Sequence, residues 1–215
     1  MPSALARLGR PLAARDVRPL LLRRWARRPQ LNRDPMVPAI LFVLGASGAG
    51  KTSALGILAG RRLQGVSCYH FDSIGVPSAA VMEREWGSGE RWQEEMTKHW
   101  IERLAANADG ARVVVLEGQT RPSYMEPHAS RYGVRHYRIV LLDCLPAVRA
   151  SRLHGPRGQP ELASPSMDAW AAYLRGQADA LGLAVVDTSS RSVEQVADGL
   201  QELIEELREV AGAAA

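Results

Sequence analysis

The chain contains little of what several classes of protein require. It has two cysteines in 215 residues, Cys68 and Cys144, too few for the disulfide framework of a small secreted domain. No apolar run approaches the ~20 residues of a membrane helix, so we predict no membrane span. The histidines show no metal-ligand spacing, and the C-x-x-C, H-E-x-x-H and serine-nucleophile motifs are all missing. These absences favour a cytoplasmic globular protein whose cysteines are buried and reduced.

The basic charge of the chain is confined to its first 35 residues. Nine arginines and two aspartates give residues 1–35 a charge of +7, which leaves −3 of the net +4 for the other 180 residues. Three interpretations of this leader stay open: a nucleic-acid or membrane-surface arm, a targeting peptide, or extra sequence before a natural start at Met36. We expect a disordered leader or a misassigned start over residues 1–35, and one domain over residues 36–215.

The most informative motif is the octapeptide G-A-S-G-A-G-K-T at 45–52, which follows the apolar run 39–44. It matches the P-loop pattern, in which glycines let backbone N–H groups approach phosphate oxygens and a helix N-terminus attracts the anion. We expect Lys51 to reach the β- and γ-phosphates of ATP and Thr52 to bind Mg²⁺. The residues predicted to bind ATP are Gly45, Ala46, Ser47, Gly48, Ala49, Gly50, Lys51, Thr52 and Ser53.

Apolar strand-like runs alternate with helical stretches along the rest of the chain. After the P-loop helix, four such runs each lead into a carboxylate, and these are Asp72, Glu117, Asp143 and Asp187. The alternation predicts an α/β fold with a mostly parallel sheet and helices on both faces. Ligands of such sheets bind beyond the carboxyl ends of the strands, so the four acids are candidates for a functional site.

Three of the residues beyond the P-loop have side chains suited to phosphoryl transfer. We expect Asp72 to orient or deprotonate an acceptor hydroxyl; the alternative is a turn aspartate bonded to its own backbone. Glu117 is expected to join Thr52 at Mg²⁺; the alternative is a solvated strand end. The planar fork of Arg121 suits an anionic acceptor or the transferring phosphate; the alternative is a surface ion pair.

The segment 149–160 is rich in arginine, glycine and proline, and it ends a predicted helix. Arginines on a flap of this kind could close over the triphosphate and neutralise developing charge. We expect Arg152 and Arg157, rather than Arg149, to act in this way on a small lid around 153–166; the alternative is a solvated basic loop. The predicted catalytic residues are Lys51, Asp72, Arg121, Arg152 and Arg157.

In these motifs the chain resembles the P-loop kinases of small molecules, the superfamily of adenylate kinase, shikimate kinase, gluconate kinase and chloramphenicol phosphotransferase. Glu117-Gly118-x-x-Arg121 is similar to the D-G-x-P-R of adenylate kinases, whose carboxylate serves magnesium and whose arginine grips the acceptor's phosphate. The stretch from Arg152 to Arg157 resembles the arginine-bearing lid, with its arginines spaced one residue wider. Asp72 matches the members that phosphorylate hydroxyls, and the chain also resembles bacterial kinase-like ATPases with the same F-D-S-I-G-V-P stretch.

The resemblance covers residues 39 to about 210 and implies a three-layer P-loop fold with strand order 2-3-1-4-5. It also implies that Thr188 and Ser189 border the nucleotide base.

The function we predict is transfer of the γ-phosphate of ATP to a hydroxyl or phosphate group of a small-molecule acceptor. A P-loop ATPase or switch acting on a macromolecular partner is the alternative, which the single acid at Glu117 disfavours. Nucleic-acid binding through the leader is a third possibility; oligomeric state is left open.

Overall fold

A parallel sheet of five strands forms the centre of the computed structural model, which describes residues 37–155 and 157–213. The leader predicted for residues 1–35 lies outside the described residues. The strand order is β2-β3-β1-β4-β5, so the predicted fold class and strand order are confirmed. The strands are β1 (Ala39–Leu44), β2 (Val66–His70), β3 (Val113–Gly118), β4 (Tyr137–Asp143) and β5 (Ala184–Asp187).

The central strands are covered on both faces. Every residue of β1 and of β3 is buried, because helices pack above and below the middle of the sheet. Leu44 at the end of β1 is in register with Gly118 of β3 and with Leu141 of β4. The carboxyl ends of these three strands therefore meet at one edge of the sheet, which is where ligands bind in folds of this kind.

Seven α-helices surround the sheet in the part of the chain that the structure describes. They are α1 (Lys51–Gly60), α2 (Ala79–Trp86), α3 (Gly89–Ala105), α4 (Met125–Arg131), α5 (Pro146–His154), α6 (Pro165–Ala180) and α7 (Val193–Ala213). The predicted capping box before α7 forms, since the Gln195 N–H donates to Ser192 Oγ and the Ser192 N–H donates to Gln195 Oε1. No helix among the described residues is both long enough and apolar enough to cross a bilayer.

The helical stretch after β2 is divided into two helices at the sequence Gly87-Ser88-Gly89. Gly87 ends α2 in a left-handed conformation with φ of 81°, and the hydroxyl of Ser88 caps α3 by accepting from the Arg91 N–H. Helix α3 turns its large apolar side chains towards the sheet, and Trp92 and Trp100 are both buried. This packing fixes α3 beside the ends of β2 and β3.

Strand β2 is one residue shorter than the apolar run suggested. It ends at His70, and Phe71–Ile74 forms a 3-10 turn. Phe71 is buried because its ring packs edge-on against Trp92 and covers Gly118, where an added Cβ would lie 2.6 Å from the Phe71 Cβ. The turn places Asp72 just beyond the sheet edge rather than at the tip of the strand.

Candidate functional site

The loop between β1 and α1 has the backbone conformation that a phosphate cradle needs. Gly45, Gly48 and Gly50 have φ values of 154°, 81° and 95°, which disfavour residues with a side chain. A Cβ at Gly45 would clash with the carbonyl oxygen of Leu142, and one at Gly48 would lie 2.9 Å from Arg149 Cγ. Gly50 precedes the first turn of α1 and brings no side-chain cap, so the N–H groups of that turn are left for a ligand.

Lys51 begins α1 and is held close to the loop. Its side chain is buried, and Nζ donates to the Ala46 carbonyl oxygen at 3.0 Å. Burial lowers the pKa of Lys51, while the negative charge of Glu117 opposes that shift. A phosphate placed in the loop would favour the charged ammonium in the same way, so this position suits an anion.

A hydroxyl and a carboxylate meet beside the loop. Thr52 Oγ1 donates to Glu117 Oε1 at 3.2 Å, and the Nδ1 atom of His70 lies 2.7 Å from the same oxygen. Oxygen ligands of this type suit Mg²⁺, which keeps several waters and uses one or two protein groups. No group of three or more histidine, cysteine or acidic side chains forms a metal cage within the described residues. Thr52 and Glu117 are therefore the pair that could hold the ion.

Asp72 interacts electrostatically with Glu117 and Lys51, although it lies in the turn that follows β2. Asp72 is exposed, and nearby protein groups desolvate its carboxylate only in part. This partial desolvation raises the pKa of Asp72, the charge of Glu117 raises it further, and Lys51 and Arg157 oppose both. A carboxylate with a raised pKa is better matched to accepting a proton than an ordinary aspartate.

Arg121 is enclosed by aromatic rings, and its Nε also forms an ion pair with the exposed carboxylate of Glu90 at 3.6 Å. Its side chain is 16% exposed, and its guanidinium carbon lies 5.6, 5.1 and 5.5 Å from the ring centroids of Tyr124, Trp170 and Tyr173. Nη1 donates to Gln93 Oε1 at 2.7 Å and Nε donates to Tyr173 Oη at 3.3 Å. The head group is thus held in one orientation between α3 and α6.

The predicted lid arginines lie in two different environments. Arg152 donates to the carbonyl oxygens of Gly48 and Thr188 at 3.2 and 2.6 Å, so it is braced against the phosphate loop. Arg157 is exposed and donates to Gln159, yet its charge lowers the pKa of both Lys51 and Asp72. Arg152 therefore supports the phosphate loop from the last turn of α5, and only Arg157 acts electrostatically on Lys51 and Asp72.

Arg149 is a buried cation that ion pairs hold in place. It is 3% exposed and donates to Asp168 Oδ1 at 2.6 Å, Asp143 Oδ1 at 3.2 Å and the Cys144 carbonyl oxygen at 3.0 Å. These bonds join the start of α6 to the end of β4. Asp143, one of the four acids at strand ends, is thereby committed to an ion pair.

Thr188 also supports the loop, and sequence reasoning had placed it beside the base. Its Oγ1 donates to the Ala49 carbonyl oxygen at 3.0 Å. His70 and Gln93 were not anticipated at all. No local pattern marks either residue, because each acts through a partner that is distant in sequence.

No protein-family model and no curated protein matches the chain. Solved structures do match it, and several of them are kinases by name. A sugar kinase from Janibacter sp. HTCC2649 is 18% identical with a TM-score of 0.53, over 78% of this chain and 95% of that one. A gluconokinase from Sinorhizobium meliloti 1021 is 20% identical with a TM-score of 0.52, over 83% and 96% of the two chains.

A third solved structure, the tunicamycin resistance protein of Deinococcus radiodurans, is 19% identical with a TM-score of 0.53, over 78% of this chain and 95% of that one. At these identities the likeness concerns the fold. The resemblance to P-loop small-molecule kinases is confirmed at that level, and the chain covers nearly the full length of each of these structures.

Proposed function

We propose that this protein is an ATP-dependent phosphotransferase that moves the γ-phosphate of ATP to a hydroxyl or phosphate group of a small molecule. The observation that carries the proposal is the meeting of Lys51, the Thr52–Glu117 pair and Asp72 at the carboxyl edge of a parallel sheet. The kinase names of similarly folded proteins support it. We place this enzyme in the cytoplasm.

The phosphate loop is the proposed nucleotide site. Its backbone N–H groups from Gly45 to Ser53 would bind the phosphates, and the buried ammonium of Lys51 would contact the β- and γ-phosphates. Thr52 and Glu117 would hold Mg²⁺, which supplies charge neutralisation of the phosphate oxygens. His70 would keep Glu117 turned towards that position, because its Nδ1 lies 2.7 Å from the carboxylate.

The acceptor is proposed to bind between Asp72 and Arg121. Asp72 would take the proton of an acceptor hydroxyl as the new P–O bond forms, and its raised pKa suits that role. Arg121 would bind an anionic group of the acceptor or the phosphate itself. The aromatic rings around Arg121 exclude water from one side of the guanidinium, which strengthens such a contact.

The segment between α5 and α6 is the proposed lid. Arg152, in the last turn of α5 just before it, lies against the loop, and Arg157 within it acts electrostatically on both Lys51 and Asp72. Positive charge at these positions would neutralise the transferring phosphoryl group. Closing the lid would also remove water that could otherwise accept the phosphate.

The test is ATP consumption by the full chain with and without a metabolite extract, followed by mass spectrometry of phosphorylated products. Lys51→Ala should abolish turnover, and Asp72→Asn should keep nucleotide binding while losing product. Lys98→Ala is the matched control, because Lys98 pairs with Glu95 on the surface of α3 and should leave turnover unchanged. Turnover that ignores every small acceptor yet rises with a protein or nucleic acid would contradict the proposal and favour the ATPase alternative.

A further inference from the structure

A hydrogen-bonded chain links the phosphate loop to Arg121. Ser47 Oγ donates to Gln119 Oε1 at 3.0 Å, Gln93 Nε2 donates to the Gln119 carbonyl oxygen at 2.9 Å, and Arg121 Nη1 donates to Gln93 Oε1 at 2.7 Å. The four residues come from the loop after β1, from the segment after β3 and from α3. Both proposed substrate sites are therefore joined through two glutamines.

Within this chain of hydrogen bonds, the position of Gln93 requires an amide side chain. It must donate to a carbonyl oxygen and accept from a guanidinium, so the orientation of its amide follows from its partners. A carboxylate lacks the donor that Gln119 requires, and a cation lacks the acceptor that Arg121 requires. An apolar side chain of similar size would lack both.

The backbone that carries Gln93 is itself fixed. Thr97 Oγ1 is bonded to the Gln93 carbonyl oxygen at 2.8 Å, and the buried hydroxyls of Thr97 and Thr120 lie 2.8 Å apart. One turn of α3 is thus tied at two places to the segment 119–121. A shift of that segment is transmitted to Gln93 because little slack is left between them.

The other contacts of the Arg121 head group leave one of its edges open, although Glu90 Oε1 also lies 3.6 Å from Nε. Tyr173 holds Nε, and the rings of Tyr124 and Trp170 fix the plane, while Nη2 donates to no other described residue. Gln93 therefore selects how the free edge of the guanidinium is turned. That edge is the one available to an acceptor.

We propose that Gln93 is a positioning residue that couples the nucleotide site to the acceptor site. A nucleotide in the loop fixes Ser47, Ser47 fixes Gln119, and the Gln119 main chain fixes Gln93 and with it Arg121. This inference rests on the proposed function and deepens it, because it makes binding of one substrate favour binding of the other. Coupling of this kind is reciprocal and typically changes affinity by about 5- to 150-fold.

Trp170 provides a readout that needs no acceptor, since its ring lies 5.1 Å from the Arg121 guanidinium carbon. The full chain is titrated with Mg²⁺ and a non-hydrolysable ATP analogue while tryptophan fluorescence is followed, and calorimetry measures the Kd. Trp170→Phe identifies the part of the signal that comes from Trp170. We expect the analogue to change Trp170 emission with the same Kd that calorimetry gives.

Gln93→Leu should keep the calorimetric Kd within about twofold and lose the Trp170 response, because the loop is intact and the link is broken. Gln93→Glu should also lose the response, although it can still bind Arg121. Gln201→Leu is the matched control, since it removes a glutamine that accepts from Arg61 at 2.8 Å, away from the site; it should respond like the unmodified chain.

The outcomes separate the two proposals. Binding heat without a Trp170 response in the unmodified chain overturns the coupling but leaves the nucleotide site in place. An undiminished response in Gln93→Leu overturns the role of Gln93. The absence of binding heat overturns the proposed function and this inference with it. Thermal melts of every variant show whether a lost response comes from a lost fold.

Discussion

The two halves of the candidate site differ in how firmly the fold holds them. The nucleotide half stands on β1 and β3, whose residues are all buried, and its Lys51 is 7% exposed. The acceptor half includes Asp72, which is exposed and follows the half-buried β2. A phosphate cradle must be rigid before its ligand arrives, whereas a pocket for a variable acceptor can be built on surface elements without disturbing the sheet.

The same contrast holds between two arginines of the lid region. Arg149 is buried and bonded to Asp143 and Asp168, so it belongs to the rigid half. Arg157 is exposed and acts on the site through its charge. Residue type alone therefore does not separate these two arginines; their burial does.

The largest effect is expected from Asp72→Asn, which removes the proposed base from the acceptor half and leaves the nucleotide half untouched. Loss of a general base typically lowers the rate by about 10²- to 10⁴-fold. Product formation by mass spectrometry should fall by that factor, while the calorimetric Kd for the Mg²⁺–nucleotide complex stays within about twofold. A variant that transfers phosphate at the original rate would remove Asp72 from the mechanism.

The same substitution should stabilise the fold at neutral pH. The folded protein raises the pKa of Asp72 above 3.8, mainly by desolvation, so it binds the proton more tightly than the unfolded chain does. The ionised carboxylate therefore lowers the free energy of unfolding at pH values above the raised pKa, and this cost disappears as pH falls towards 3.8. Thermal melts should show Asp72→Asn more stable at pH 7, with a difference that shrinks on acidification.

Much of the nucleotide half could be predicted from the sequence, because its signals are local. An apolar run, a glycine pattern and a helical repeat follow each other over 39–60, and the structure has β1, the loop and α1 in those places. The strand order followed from the resemblance. Phe71 was expected to end β2, but its ring turns inward towards Trp92 and leaves the strand one residue short.

The remaining site residues could not be predicted because their roles depend on long-range contacts. His70 and Glu117 are 47 positions apart, and Gln93 and Arg121 are 28 apart. No spacing rule links such pairs until the sheet order and the direction of α3 are known. Arg149 is a similar case, since its burial depends on which side of α5 faces β4.

A test of the rigid half itself is Arg149→Met, compared with Arg157→Met. Removing Arg149 takes the ion-pair partner from Asp168, whereas Asp143 keeps Arg175 Nη1 at 3.9 Å; the two side chains are 49% and 22% exposed and can still be hydrated. We therefore expect a loss of about 1.5–3 kcal/mol in the free energy of unfolding, the value of hydrogen bonds to charged groups, rather than the 3–5 of a fully buried pair. Arg157→Met should change stability by less than about 0.5 kcal/mol. Urea denaturation measures the free energy of unfolding of both variants, and equal losses would contradict the distinction between the buried Arg149 and the exposed Arg157.

His70 lies on the border between the halves, at the end of β2 but in contact with Glu117. His70→Leu should weaken Mn²⁺ binding to the nucleotide complex by about 10- to 100-fold, since residues that orient a metal ligand commonly have effects of that size. Titration of Mn²⁺ followed by electron paramagnetic resonance measures it. His70→Gln should recover part of the loss by donating to Glu117, and the exposed His154→Leu should have no effect. Equal affinity in all three variants would leave His70 without this role.

The smallest effects are expected from two glycines of the rigid half, Gly50 just before α1 and Gly56 within it. Gly50 has φ of 95° and no close steric neighbour except Arg152 Nη1 at 3.8 Å, so Gly50→Ala should cost about 1–2 kcal/mol through its backbone alone. Gly56 lies in the middle of α1 with no described atom within 4 Å of an added Cβ, so Gly56→Ala should stabilise by about 0.5–1 kcal/mol. Urea denaturation gives both signs, and calorimetry should show weaker nucleotide binding for Gly50→Ala alone. Two variants of equal stability would mean that the left-handed turn at the start of α1 is not what shapes the cradle.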